Sequence, residues 1–248
     1  MIFGGKGKTE KFRKALIFSV NFDKLSKKSK EIIMSKYKYV FFDLDGTLSD
    51  SGPGIRKAVV HALKKYGIDE TDEKKLNRFV GPPLYDSFSD FYGFSKEESV
   101  RAVGYFREYY VDTGLYENTP YDGIEDALKA LVGCGKKLVV ATSKPEVLAR
   151  RILAHFELSK YFVEIAGATE DGAIVKKDDV LRLALSRTGF DATGCIMVGD
   201  RASDVIGAAK VGMDGMGVLY GYGSLAEFEG TKPVYIAKTV EDIPKLLI

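Results

Sequence analysis

Two aspartates separated by one residue, Asp43 and Asp45, follow directly on a short apolar run in this sequence. The run, residues 40–42, is continuous and ends at a turn signal, which is typical of a buried strand. Gly46 then breaks the extended chain and lets the backbone approach a bound group. Two carboxylates this close repel each other unless a cation or a shared proton compensates them. The pair therefore predicts carboxylate chemistry assisted by a divalent metal.

Hydroxyl groups mark a second strand end, where residues 137–142 form an apolar run that finishes in Thr142 and Ser143. Pro145 follows at what the sequence predicts as the first turn of a helix. Hydroxyls next to free helix-terminal N–H groups can bind a phosphate. The same residues are also ordinary helix caps, so this feature alone does not decide the chemistry.

Four short motifs, in order along the chain, together resemble those of the haloacid dehalogenase superfamily of phosphatases. The stretch D-x-D-G-T-L at residues 43–48 is similar to the first motif, and A-T-S-K at residues 141–144 fits the second. The third motif is a lysine just before a helix; Lys177 matches it better by spacing, and Lys176 is the alternative. G-D-x-x-x-D, ending in Asp200 and Asp204, resembles the fourth.

The resemblance implies a role for each of these residues. Asp43 is the expected nucleophile, Asp45 the general acid and base, and Thr142 and Lys177 the groups that hold and neutralise the phosphoryl group. The implied cofactor is Mg²⁺, with a shell drawn from Asp43, Asp45, Asp200 and Asp204. The residues expected to contact substrate are Thr47, Ser143, Gly81 and Pro82.

Helical periodicity replaces the strand pattern after the first motif and continues to about residue 115. Its one break is the stretch F-V-G-P-P-L at residues 79–84, which cannot continue a helix. In the resemblance, such an insertion is a cap over the active site. The predicted fold is α/β, a doubly wound parallel sheet with an inserted all-helical cap. The expected domains are a basic extension (1–35), the core (36–52 and 116–248) and the cap (53–115).

Charge is unevenly distributed over the 248 residues, whose net charge is +2. Residues 1–34 carry nine Lys/Arg and three Asp/Glu, a net charge of +6, which leaves −4 on the remainder. A mildly acidic body argues against a nucleic acid polymer as partner. Two distant cysteines, and the lack of any apolar window of membrane-spanning length, favour a cytoplasmic protein without a membrane partner. A monomer and a homodimer both stay open.

The expected function is Mg²⁺-dependent hydrolysis of a small phosphorylated metabolite through an aspartyl-phosphate. Members resembling phosphoglycolate phosphatase and 5′-nucleotidase are the nearest match. A phosphomutase of the β-phosphoglucomutase type and a haloacid dehalogenase share the nucleophile and are the alternatives. The sequence does not choose among phosphoglycolate, nucleoside monophosphates and sugar phosphates.

Overall fold

A computed structural model describes residues 36–169 and 172–248 of the chain. The basic extension that the charge distribution predicts over residues 1–35 lies outside the described residues. From Tyr37 to Ile248 the chain forms one unit.

Six parallel strands form the central sheet, in the spatial order β5-β4-β1-β6-β7-β8, and two short strands, β2 and β3, pair antiparallel outside it. In chain order the strands are β1 (Tyr39–Phe42), β2 (Ser49–Asp50), β3 (Thr119–Pro120), β4 (Lys137–Pro145), β5 (Phe162–Ala168), β6 (Cys195–Gly199), β7 (Asp214–Val218) and β8 (Tyr235–Ala237).

Helices in the described residues are α1 (Gly52–Lys64), α2 (Glu73–Asn77), α3 (Leu84–Tyr92), α4 (Lys96–Tyr110), α5 (Ile124–Gly133), α6 (Glu146–His155), α7 (Lys177–Thr188), α8 (Ala202–Lys210) and α9 (Asp242–Leu247). Three 3₁₀ turns accompany them, at Gly114–Tyr116, Ser159–Tyr161 and Ala192–Gly194.

Strand β1 lies inside the sheet, paired with β4 on one side and β6 on the other. Its residues are apolar in succession because both faces are covered: Phe42 packs in one hydrophobic cluster and Phe41 in the other. The carboxyl ends of β1, β4 and β6 therefore meet at one edge. The predicted doubly wound parallel sheet is confirmed.

Local sequence signals explain the helical insertion. Asp72 caps α2 by accepting from the backbone N–H of Lys74 at 2.9 Å. Ser95 and Glu98 form a capping box at the start of α4. Helix α3 ends at Gly93, which adopts a left-handed φ of +69°. The insertion carries helices and no strand between α1 and the turn at Gly114–Tyr116, as the periodicity predicts.

The chain enters and leaves the insertion through the β2–β3 ladder. Ser49 pairs with Pro120, and Asp50 pairs with Thr119. The hydroxyl of Tyr222, from the loop after β7, donates to the Asp50 carboxylate. Both crossings between sheet and insertion thus lie side by side.

Pro145 differs from its prediction. It pairs with Ala168 as the last residue of β4 and serves as the N-cap of α6, with ψ at 130°. The extended strand continues past the two hydroxyls because the β4–β5 pairing shifts register between Thr142 and Pro145. Helix α6 therefore begins at Glu146, one residue later than the sequence predicts.

Candidate active site

Three carboxylates cluster at the carboxyl edge of the sheet. Asp43 follows β1, Asp200 follows β6, and Asp204 lies in the first turn of α8. One oxygen from each lies within 4.8 Å of the others, and all three side chains are buried. Parallel strands bring these residues together across more than 150 positions of sequence, as ligand sites in open α/β sheets require.

In the described residues, one lysine lies within the cluster. Lys177, the first residue of α7, places Nζ 2.9 Å from Asp43 Oδ1 and 2.9 Å from Asp204 Oδ1. Its ammonium also donates to the carbonyl oxygen of Ala141, within β4, at 2.9 Å. Lys176, the alternative in the sequence, is the N-cap residue of α7. The geometry thus brings Lys177 to the carboxylates.

Burial sets the electrostatics of the cluster. It raises the pKa of Asp200 well above its usual range, and the charges of Asp204 and Asp43 add to that rise. Burial also raises the pKa of Asp204 to about 6, although Lys177 acts in the opposite direction. The cluster therefore carries more negative charge than its surroundings stabilise, and a cation would relieve it.

The oxygens of Asp200 fit a metal ligand. Oδ2 accepts from the backbone N–H of Tyr222 at 2.8 Å, whereas Oδ1 is buried without a hydrogen-bond partner in the described part of the chain. Carboxylate oxygens are the ligands that Mg²⁺ prefers. Asp43, Asp200 and Asp204 could therefore hold a divalent ion.

Glycines bring the surrounding backbone close to Asp200. Gly46 has φ of +80°, and a Cβ there would lie 2.6 Å from Asp200 Cγ. A Cβ at Gly221 would lie 2.6 Å from Asp200 Cβ. The loop at residues 220–224 therefore packs directly against Asp200. The sequence signal for this close packing is the pair of glycines that follows β7.

Asp45 lies outside the three-carboxylate cluster and pairs with a different lysine. Both of its carboxylate oxygens accept from Lys144 Nζ, at 2.9 and 2.7 Å. The same ammonium lies 4.9 Å from the ring centroid of Tyr110, the last residue of α4. Burial lowers the pKa of Lys144, but the charges of Asp45 and Tyr110 and the hydrogen bonds to them together outweigh burial, so the net shift of the pKa is upward. Lys144 ends the A-T-S-K stretch of the second motif, but the motif did not predict its pairing with Asp45.

The remaining predicted site residues divide between the cavity and the protein interior. Ser143, Gly81 and Pro82 line the cavity beside Asp45. Thr142 is buried, and its hydroxyl accepts from the backbone N–H of Lys144 at 3.2 Å. Thr47 is 0% exposed and is not a lining residue, so a substrate role for it stays a prediction.

The cavity between sheet and insertion has a volume of about 620 Å³. Its insertion side is mainly apolar and aromatic, with contributions from Phe79, Leu84, Val103, Phe106 and Tyr110. Asp45, Ser143 and Lys144 supply polar groups on the sheet side. Apolar walls with a few convergent polar groups are typical of a small-molecule site.

Comparison with known proteins agrees with this geometry. The family model described as haloacid dehalogenase-like hydrolase matches residues 40–218. A 5′-nucleotidase from Pseudomonas aeruginosa is 42% identical over 212 residues, covering 86% of this chain and 96% of that protein. The tyrosine-protein kinase PtkA of Mycobacterium tuberculosis is 39% identical over 211 residues, covering 84% of this chain and 72% of that protein. The crystal structure of a predicted phosphatase from Clostridium acetobutylicum superposes with a TM-score of 0.83 at 45% identity, covering 85% and 98%.

The chain belongs to the haloacid dehalogenase-like hydrolase family. The predicted superfamily is thereby confirmed, and so is the predicted enzyme class, a phosphoric monoester hydrolase. In residues 36–169 and 172–248, none of the helices combines the length and apolar character that a membrane span needs.

Proposed function

We propose that the chain is a Mg²⁺-dependent phosphatase that hydrolyses small phosphomonoesters through a phosphorylated Asp43. The observation that carries the proposal is the position of Asp43 within the buried cluster. There its carboxylate lies 2.9 Å from Lys177 and close to two further carboxylates. A nucleophile needs nearby positive charge to approach an anionic phosphate.

In the first step an oxygen of Asp43 attacks phosphorus, a new O–P bond forms, and the bond to the leaving alkoxide breaks. Lys177 offsets part of the negative charge that accumulates. Mg²⁺, held by Asp43, Asp200 and Asp204, would supply further electrostatic stabilisation of the phosphoryl oxygens. The Thr142 hydroxyl and the Ser143 backbone are the proposed partners of the non-bridging oxygens.

Asp45 is the proposed proton carrier. Its carboxyl group gives a proton to the leaving alkoxide, then takes one from the water that attacks the phosphorylated Asp43. The second step releases inorganic phosphate and restores Asp43. Both oxygens of Asp45 accept from Lys144, so that ion pair has to open and the Asp45 carboxylate has to take up a proton from solvent before it can donate one. Lys144 lines the cavity, so an anionic substrate can compete with Asp45 for it.

The size of the cavity bears on the substrate. A leaving group of two carbons, as in phosphoglycolate, leaves most of 620 Å³ unfilled, whereas a nucleoside occupies a several-fold larger share of it. Apolar and aromatic walls suit a planar ring. A nucleoside monophosphate is therefore the favoured substrate class, and the 5′-nucleotidase relative supports it.

A panel of phosphomonoesters tests the proposal, each assayed for phosphate release with Mg²⁺ and with EDTA. The expected result is Mg²⁺-dependent release, fastest for a nucleoside monophosphate, with acid-stable phosphate trapped on the wild-type protein but not on Asp43→Asn. An isomerised sugar phosphate in place of free phosphate would indicate a phosphomutase. A haloacid assayed in parallel covers the second alternative: halide release that EDTA does not affect would indicate a haloacid dehalogenase.

A further inference from the structure

Arg201 connects the carboxylate edge of the sheet to the helical insertion. It follows Asp200 directly in the chain, and its side chain extends toward the loop between α2 and α3. Nη1 donates to the carbonyl oxygen of Val80 at 2.8 Å, and Nε donates to Glu227 Oε1 at 2.9 Å. The guanidinium thus holds a backbone group of the insertion while a core carboxylate fixes its orientation.

The main chain of the same residue holds the cluster. The Arg201 backbone N–H donates to Asp204 Oδ2 at 3.0 Å. Glu227 Oε1 also accepts from the backbone N–H of Ala202 at 2.9 Å, which ties the start of α8 to the same carboxylate. One residue is therefore bonded at one end to a proposed metal ligand and at the other to the insertion.

The loop held by Arg201 forms part of the cavity wall. Gly81, next to Val80, has φ of +103°, and a Cβ there would lie 3.2 Å from Arg201 Cγ. The loop therefore lies directly on the aliphatic stem of Arg201. Gly81 and Pro82 both line the cavity. A displacement of Arg201 would therefore change the position of this cavity wall and the hydrogen bond to Asp204.

We propose that Arg201 is a positioning residue, which ties the Gly81–Pro82 wall to Asp204 and so fixes the distance between substrate cavity and carboxylate cluster. Its planar guanidinium suits this task, because two donors in fixed relative geometry hold two acceptors at once. The kinetic consequences rest on the proposed function. The tie itself can be measured without turnover.

Arg151 provides a matched control. This arginine of α6 donates from Nη2 to the carbonyl oxygen of Val111, just after α4, at 3.0 Å, and to the hydroxyl of Tyr116 at 3.1 Å. It is likewise a core arginine bonded to a backbone carbonyl of the insertion, but these hydrogen bonds reach neither the carboxylate cluster nor the loop at residues 79–84. Arg201→Met and Arg151→Met therefore remove the same kind of bond at two places.

The first measurement is amide hydrogen exchange without substrate. The backbone N–H groups of Phe79, Val80 and Ser87 are hydrogen-bonded within or beside the loop. Arg201→Met should speed their exchange about tenfold or more, since a charge-assisted bond that holds the loop is lost. Arg201→Lys should give a smaller increase, and Arg151→Met none at these amides. Unchanged exchange in Arg201→Met, or an equal increase in Arg151→Met, would contradict the proposal that Arg201 holds this loop.

The second measurement separates KM from kcat for a nucleoside monophosphate and for the shorter p-nitrophenyl phosphate. Arg201→Met should lower kcat/KM for the nucleotide about tenfold, mainly through KM, with a smaller loss for the aryl ester. Arg201→Lys should recover part of the loss. An equal loss on both substrates would indicate a general structural role and overturn the proposal. If Arg201→Met does not fold, the losses for the two substrates are compared in Arg201→Lys and Glu227→Gln instead.

The two measurements distinguish the two proposals. Wild-type protein without phosphatase activity would contradict the proposed function, while the exchange pattern would still decide whether Arg201 holds the loop.

Discussion

The carboxylate cluster and the cavity are built in opposite ways, although they adjoin. Charged residues at the ends of β1 and β6 and the starts of α7 and α8 make the cluster. Apolar side chains from the loops and helices of the insertion make most of the cavity wall. Asp45 lies on the cavity side, two residues from Asp43, and is the point where the two regions meet.

This difference separates bond making from substrate selection. Buried charges must be held by many rigid contacts, and the sheet edge supplies them. Apolar contacts are non-directional, so a helical insertion can change its wall without disturbing the sheet. Substitutions in the cluster should therefore act mainly on kcat, and those in the cavity wall mainly on KM.

The largest expected effect is that of Asp43→Asn. It should lower kcat by at least about 10³-fold and abolish the phosphorylated protein, because the amide cannot act as the nucleophile. Phosphate release and acid-quench trapping measure the two losses. Asp45→Asn makes the same chemical change on the cavity side and should slow turnover, most strongly for poor leaving groups. Equal residual activity in the two variants would contradict the separate roles.

Lys177→Met should rank next. It removes the ammonium that lies 2.9 Å from both Asp43 and Asp204, so kcat should fall at least about 100-fold. Lys176→Met changes the neighbouring residue in the same way and should leave kcat close to that of the wild type. If a steady-state assay showed the larger loss of kcat in Lys176→Met, the active-site lysine would be Lys176.

Metal binding should depend on pH through the cluster. In the metal-free protein the raised pKa of Asp204, about 6, and that of Asp200 mean that the folded state binds protons which the unfolded state releases. Stability from these groups therefore falls as pH rises from about 4 through about 6. Mg²⁺ competes with those protons, so its gain in Tm should be larger at about pH 7.5 than at about pH 5.

Thermal unfolding with and without Mg²⁺ at the two pH values checks this expectation. Asp200→Asn replaces a carboxylate by a neutral amide, which is a weaker ligand, and should shrink the gain at the higher pH. The metal assignment would be wrong if the gain were the same at both pH values and survived this substitution.

Gly81→Ala should have the smallest effect on the chemistry. The new Cβ would meet the Arg201 stem in a backbone conformation that favours glycine, so KM for a nucleoside monophosphate should rise several-fold with little change in kcat. Gly93→Ala is the control: it also has positive φ, but a Cβ there meets nothing within 4 Å. Both variants should lose about 1 kcal/mol of stability. A similar rise in KM in both would show that backbone strain, not the cavity wall, is responsible.

Local patterns in the sequence are enough to predict the sheet, the helical insertion and the carboxylate cluster. The apolar runs ending in Asp43 and Asp200 predict strand ends, and parallel pairing then brings their carboxylates together. Lys144 and Arg201 could not be found in this way, because each acts through a partner distant in sequence: Asp45 for one and Val80 for the other. Hydrophobic periodicity indicates which face of a helix or strand is apolar, but it does not predict contacts between residues distant in sequence.

The β2–β3 ladder has a consequence for how such proteins diversify. Ser49 and Asp50 lead into the insertion, and Thr119 and Pro120 lead out of it alongside them. Two adjacent junctions make the segment between them a cassette, which can be lengthened, shortened or exchanged without rerouting any strand of the sheet. A lineage could thus acquire new substrates by replacing one contiguous piece of gene, while its bond-breaking apparatus is inherited intact.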